Sequence, residues 1–233
     1  GGHRIWKSPE DYSTYYPDND QVDYTVIGNL FIFRQKPQKV TNLELIMEID
    51  FEELNRIRIG GKLRNISNEV QHISCWSLTM LEGPGLEVVP LPEGDTGFKP
   101  QRFYSLWNFG AKNNDYRASF GDNYFTLAMD PKSEAPYKIG LKSTAGIAYY
   151  LMNNDIFVKG FPYEEDKNYP DNNVNYETYT RELFLEMESL SPLEQVLPGK
   201  SITHYEYWSI YPNIDKIPDA KDESMIKEFL KQI

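Results

Sequence analysis

Short apolar runs that alternate with polar residues, closed by Gly, Pro and Asn turns, recur from Leu43 to Tyr211. A period of two marks a strand with one buried face, whereas an amphipathic helix needs a period near 3.6. Leu43, Leu45, Met47 and Ile49 alternate with Glu44 and Glu48. Ile57 and Ile59 carry the pattern up to Gly60-Gly61, which reads as a turn or bulge. Gln71–Leu81, QHISCWSLTML, is nearly unbroken and reads as a strand buried on both faces. Tyr124–Met129, Tyr137–Leu141, Gly146–Met152 and Asp155–Phe161 read as short strands, the last two joined by an Asn153-Asn154-Asp155 hairpin turn. Leu197-Pro198-Gly199-Lys200 turns the chain into a final strand, Ser201–Tyr211. Pro90–Pro100 reads as a long loop.

Only the tail has a helical stripe. After Pro218, the residues Met225, Ile226, Phe229, Leu230 and Ile233 share one face, with Asp219 or Asp222 as the N-cap. That face docks on the strands or on another protomer. Many short strands with almost no helix predict an all-β chain, a large antiparallel β-sandwich with a short C-terminal helix. The expected division is a sandwich over residues 1–213, then a linker and amphipathic helix over 214–233. A length of 233 residues with 40% hydrophobic residues suffices for one large β core.

Charge excludes some partners. The formal net charge is −11, which opposes a phosphate backbone or an anionic membrane surface. Cys75 is the only cysteine, so an internal disulfide and a cysteine-rich zinc site are both excluded. The three histidines, His3, His72 and His204, have no metal-ligand spacing, so no metal is expected. No apolar run is long enough to span a bilayer.

The segment Tyr176–Pro192, YETYTRELFLEMESLSP, carries the strongest chemical signal. Glu186 and Glu188 lie two apart and so share one strand face, with Leu185 and Met187 on the other. Two like charges side by side are costly to bury unless a ligand or a cation uses them. The alternative is a solvated outer face. The opening segment offers His3, Arg4, Trp6 and Glu10. A guanidinium beside an indole suits a sugar, through hydrogen bonds to hydroxyls and stacking on the ring; the alternative is a surface Arg and a core Trp. Alternation places Lys159 opposite Val158, either reaching a cleft to offset Glu186 and Glu188 or snorkelling over the sheet. Ser191, His204 and Glu206 lack a nucleophile-elbow sequence and do not read as a triad.

The run GGHRIW, the strand ending HISCWSLTMLEGPG, the series FVKGF, YPD and NYETYTRELFLEMESLSPL, and finally LPGKSITHYEYWSIY resemble a branch of the galactose mutarotase-like superfamily. The resemblance runs from Gly1 to about Tyr211 and implies a large antiparallel sandwich, a supersandwich, with a sugar cleft on a concave sheet. It also implies opening strands ahead of Gly1. The aldose 1-epimerases of that superfamily use a carboxylate base and a histidine acid to open and reclose a sugar ring. Their base lies in a Leu-Glu-Thr-Gln strand, which Leu185-Glu186-Met187-Glu188 resembles, so Glu186 takes the place of the base. Their histidine position is occupied here by Ser74, and His72 and His3 are the candidates to replace it.

The resemblance thus implies a carbohydrate-handling domain, with aldose mutarotase or epimerase activity or with sugar binding alone as an accessory domain. Glu186, His72 and His3 are the candidate catalytic residues. Arg4, Trp6, Trp76, Lys159, Glu177 and Glu188 are the candidate binding residues. No organic cofactor is expected, because mutarotation is proton transfer alone. The expected partner is a small sugar or glycan, with no nucleic acid. Compartment and oligomeric state have no signal in the residues.

Overall fold

The computed structural model of the chain describes residues 2–17, 19–110, 114–214, 218–231 and 233. Seventeen strands follow in order: β1 (Gly2–Ser8), β2 (Asp23–Ile27), β3 (Leu30–Arg34), β4 (Leu43–Glu53), β5 (Arg56–Asn65), β6 (Gln71–Leu81), β7 (Gly85–Pro90), β8 (Tyr104–Leu106), β9 (Ala118–Phe120), β10 (Tyr124–Met129), β11 (Tyr137–Leu141), β12 (Ile147–Met152), β13 (Asp155–Gly160), β14 (Tyr176–Arg181), β15 (Phe184–Leu190), β16 (Glu194–Val196) and β17 (Ser201–Tyr211). One α-helix, α1 (Glu223–Leu230), closes the chain. Part of the expected linker, residues 215–217, lies outside the described residues.

The strands form two antiparallel sheets, as a β-sandwich requires. The smaller runs β1-β6-β15-β14-β11-β8, with β16 added to the start of β6. The larger runs β2-β3-β4-β5-β17-β13-β12-β7-β10-β9. Each inner face contributes every second residue of its strands. Leu185 and Met187 of β15 meet Val89, Phe125, Leu127 and Tyr150 of the larger sheet in one apolar cluster. Ile5, Ile73 and Cys75 meet Leu43, Leu45, Leu63 and Ile202 in a second. Cys75 is a buried apolar filler.

Gly60 and Gly61 are not a turn; they lie within β5. Their role is close approach. A Cβ on Gly61 would sit 3.0 Å from the Cys75 sulfur, and one on Gly60 would sit 3.0 Å from the Tyr205 ring. The Asn153-Asn154 turn holds positive φ at both residues, 52° and 65°, as a tight hairpin demands. Asp171, Asn172 and Asn173 also take positive φ and form a left-handed turn before β14.

Helix α1 packs on the outer face of the larger sheet, with Ile226 and Phe229 against Leu86, Val88, Leu151, Ile156 and Val158. The Asp222 carboxylate caps it by accepting from the Met225 N–H at 3.0 Å. This docking decides the direction of β13. Val158 packs outward beneath the helix, so Lys159 points into the space between the sheets.

Glu87 is buried in the same interior, hydrogen-bonded by the Tyr176 hydroxyl, and burial pushes its carboxyl up to about 8. The folded chain therefore keeps a proton that the unfolded chain releases near pH 4.3, and stability falls as pH rises from there towards 8. Glu87→Gln removes this term. The variant should gain thermal stability relative to the parent at pH 8 and lose that advantage at pH 5. An offset in melting temperature that is equal at both pH values would contradict this.

Candidate functional site

The two sides of the smaller sheet differ in chemistry. Its inner side meets the larger sheet. Its outer side carries Arg4 and Trp6 from β1, Trp76, Leu78 and Met80 from β6, Glu186, Glu188 and Leu190 from β15, Glu177 and Tyr179 from β14, and Lys138 from β11. Register places them together: Arg4 is opposite Leu78, Trp6 opposite Trp76, Glu188 opposite both Leu78 and Glu177, and Tyr179 opposite both Glu186 and Lys138. Directly paired residues of adjacent strands point to one face.

Lys138, which the sequence reading did not single out, stands at the middle of this face. Its Nζ is 2.8 Å from Glu177 Oε2 and 3.2 Å from Glu188 Oε2. It also lies 4.6 Å from the Trp76 ring and 4.8 Å from the ring of Trp107, which follows β8. Burial works against its charge, yet Glu188 and Glu177 together hold the ammonium well above the ordinary lysine value. The Trp76 indole N–H donates to Glu188 Oε2 at 2.9 Å. Glu177, Glu188 and Trp76 are thus buried and engaged with Lys138 and each other. Lys138 was hard to find because its strand neighbours Tyr137 and Ile139 are core residues, and a lone Lys between them resembles a surface residue.

Glu186 is different. It is half-buried and, among the described residues, has no hydrogen-bond partner. Burial, reinforced by the Glu188 charge, pushes its carboxyl up to about 8, against the pull of Lys138 and Arg4. Around it stand the half-buried Arg4 and Trp6 and the more exposed Glu10 and Tyr15. Arg4 lies 5.0 Å over the Trp6 ring, and Trp6 meets Tyr15 and Trp76 edge-on. Glu10 accepts from the Tyr15 hydroxyl, and burial raises its carboxyl above the ordinary glutamate value.

Three sequence-predicted members stand apart from the site. Lys159 faces the interior, where its Nζ lies 2.7 Å from Glu206 Oε1 and donates to the Met187 carbonyl at 2.7 Å and to Thr79 Oγ1 at 3.0 Å. Alternation correctly set Lys159 opposite Val158; the surface that Val158 packs on is the helix, so the opposite side is the core. His3 also turns inward, its Nδ1 3.0 Å from Thr79 Oγ1 and its ring edge-on to Trp208. Burial pulls the His3 imidazole down to about 4, so it is neutral near pH 7. The third, His72, shares the outer face by parity with Ser74 and Trp76 but is exposed at the start of β6. Ser74 donates to the Ser191 carbonyl at 2.6 Å and is fully buried.

Lys159 belongs to a polar cluster between the two apolar ones. Ser189 Oγ donates to Glu206 Oε1 at 2.5 Å and lies 2.7 Å from His204 Nε2. The Trp208 indole donates to Glu206 Oε2 at 2.9 Å. Lys159 holds Glu206 below the ordinary glutamate value although burial pushes the other way. His204, Glu206 and Trp208 alternate in β17, and that alternation was the signal for an inward polar row. The serine, histidine and carboxylate are enclosed and serve the core. Among the described residues, no group of three or more His, Cys, Asp or Glu could hold a metal ion. No helix among the described residues is long and apolar enough to cross a membrane.

Lys159→Met should lower stability by about 3–5 kcal/mol, because it strands the Glu206 carboxylate in the core. Chemical denaturation measures this directly. A loss below about 1 kcal/mol would show that the pair is not the structural clasp described.

No protein-family model matches the chain, and no curated protein matches it by sequence. Solved structures do match. A candidate aldose 1-epimerase from Escherichia coli K12 superposes with a TM-score of 0.57 at 9% identity, over 82% of this chain and 69% of that one. A galactose mutarotase-like protein from Lactobacillus casei ATCC 334 gives 0.53 at 10% identity, over 82% and 73%. A candidate aldose 1-epimerase from Klebsiella pneumoniae subsp. pneumoniae MGH 78578 gives 0.53 at 10% identity, over 91% of this chain and 56% of that one. The architecture of two unequal antiparallel sheets is therefore a galactose mutarotase-like fold.

Proposed function

We propose that this chain, with its galactose mutarotase-like fold, binds a sugar ring on the outer face of the smaller sheet and moves the proton of the anomeric hydroxyl through Glu186. One observation carries the reading. A half-buried carboxyl, without a hydrogen-bond partner and poised near 8, stands on a face lined by Trp6, Trp76 and Trp107. A catalytic base works best with a pKa near the working pH, and indole rings suit the apolar side of a pyranose. The names of the matched solved structures, aldose 1-epimerases and a galactose mutarotase-like protein, agree with this chemistry.

Glu186 takes the proton from the anomeric oxygen. The bond between the anomeric carbon and the ring oxygen breaks as the ring oxygen gains a proton, and the open aldehyde recloses on either face. The proton for the ring oxygen is assigned to solvent water, because neither His3 nor His72 stands beside Glu186. Arg4 donates to hydroxyls, and Trp6 and Trp107 offer ring surface. Trp76, Glu177 and Glu188 support the site from beneath through Lys138.

A second reading, sugar binding without catalysis, is favoured by one specific observation. His3 faces the core and His72 stands at the strand end, so neither candidate imidazole is beside Glu186. Mutarotation of freshly dissolved α-aldoses, followed by NMR, separates the two. Catalysis predicts faster equilibration that Glu186→Gln abolishes while most of the binding remains. It also predicts kcat/KM rising about tenfold from pH 7 to pH 9 as a base with a pKa of about 8 ionises. Equal turnover in the variant, or a rate that falls over that range, would remove Glu186 as the base. Ligand line-broadening without acceleration would leave the binding reading alone.

A further inference from the structure

Among the described residues Lys138 is the one ammonium enclosed on the outer face of the smaller sheet, and with its own strand its contacts join four strands. It stands on β11, bonds Glu177 of β14 and Glu188 of β15, and lies between the rings of Trp76 on β6 and Trp107 after β8. Glu188 is tied further by the Trp76 N–H. Glu177 Oε1 and Glu188 Oε1 have no partner. Each of these carboxylates is therefore held on one oxygen only, and both are held by the same cation. Without Lys138 two enclosed carboxylates would face each other across paired strands, which is costly in a low-dielectric site. Glu186 is the third carboxyl of the group, and the clamp leaves it without a hydrogen-bond partner among the described residues.

We propose that Lys138 is a positioning residue for the proton transfer at Glu186: it clamps Glu177 and Glu188 together and so leaves Glu186 as the one carboxyl of the three free to meet a ligand. This rests on the reading of the face as a sugar site. The clamp acts on Glu186 through charge and through place. The groups that face Glu186 are Arg4 from β1, Glu10 after it, Lys138 from β11, Tyr179 from β14 and Glu188 from its own strand. Of these, Lys138 and Arg4 favour the ionised carboxylate, and Glu188 and Glu10 oppose it. Removing Lys138 and removing Glu188 therefore push Glu186 in opposite directions. A residue with only a packing role would move both in the same direction or not at all.

The test is a carbon-13 carboxyl NMR titration of Glu186 in the full chain, for the parent and for Lys138→Met, Lys138→Arg and Glu188→Gln. The expected midpoint moves up by about one pH unit in Lys138→Met and down by a similar amount in Glu188→Gln, with Lys138→Arg close to the parent. The pH–rate profile of mutarotation should move with these midpoints. Unchanged midpoints in folded variants, or shifts in one direction for both, would overturn the clamp. If Lys138→Met does not fold, Glu188→Gln still decides: a midpoint that stays or rises overturns the proposal. A parent that never accelerates mutarotation but shows the opposed shifts would remove the catalytic reading and leave Lys138 as the residue that sets the state of Glu186.

Discussion

The ion pair between Lys159 and Glu206 is the interaction on which the arrangement of the sandwich depends. The two groups meet at 2.7 Å with both side chains enclosed. An enclosed pair costs several kcal/mol of desolvation per ion unless the remaining donors and acceptors are satisfied. Here the surroundings supply them. Lys159 donates to the carbonyls of Met187 and Ser77 and to Thr79, and Glu206 accepts from Ser189 and Trp208. Those partners come from β13 and β17 on one sheet and from β6 and β15 on the other. A shift of one residue in the pairing of any of these strands would turn the polar groups to the wrong side. The pair thus ties the register of both sheets at the point where they face each other.

The outer face of the smaller sheet inherits this register. Met187 lends its carbonyl to Lys159, and Ser189 reaches Glu206, so Glu186 and Glu188 must point outward. On β6, Ser77 and Thr79 serve the interior and Trp76 and Leu78 serve the outer face. The division of labour is strict: one lysine pairs with the core carboxylate, and another, Lys138, bridges two carboxyl groups outside, of which burial raises Glu177 well above the ordinary glutamate value. Glu186 remains beyond both cations' hydrogen-bond reach and holds its proton towards pH 8. The chemistry proposed for the face is a consequence of that allocation.

Much of the strand framework could be read from alternation and turns. The runs at Leu43–Ile49, Gln71–Leu81 and Ser201–Tyr211, the Asn153-Asn154 turn and the tail helix with its Asp222 cap all correspond to elements of the fold. The shared face of Glu186 and Glu188 followed from a spacing of two. The remainder depended on which surface each strand side meets. Gly60-Gly61 looked like a turn because glycine serves turns and close approaches alike, and only the Cys75 and Tyr205 contacts separate the two. Lys159 reads as reaching a cleft or snorkelling over the sheet because a charged residue opposite an apolar one normally faces solvent, and His3 is a cleft candidate only through the family resemblance. A helix on the outer side reverses that rule for β13, and the Thr79 and Glu206 pair attracts His3 inward. Lys138 and Trp107 were missed because their meeting with Glu188 joins strands far apart in sequence.

The most direct test of this account uses the four tryptophans as reporters. Trp6, Trp76 and Trp107 line the outer face, whereas Trp208 donates to Glu206 inside. A proton–nitrogen NMR spectrum of the indole N–H groups, recorded while an aldose is added, distinguishes the two sides of the sheet. The account predicts shifts at Trp6 and Trp107, a smaller one at Trp76, and none at Trp208. Movement confined to Trp208, or no movement of any indole with sugars that the chain demonstrably binds, would place the ligand elsewhere and contradict the assignment of the face.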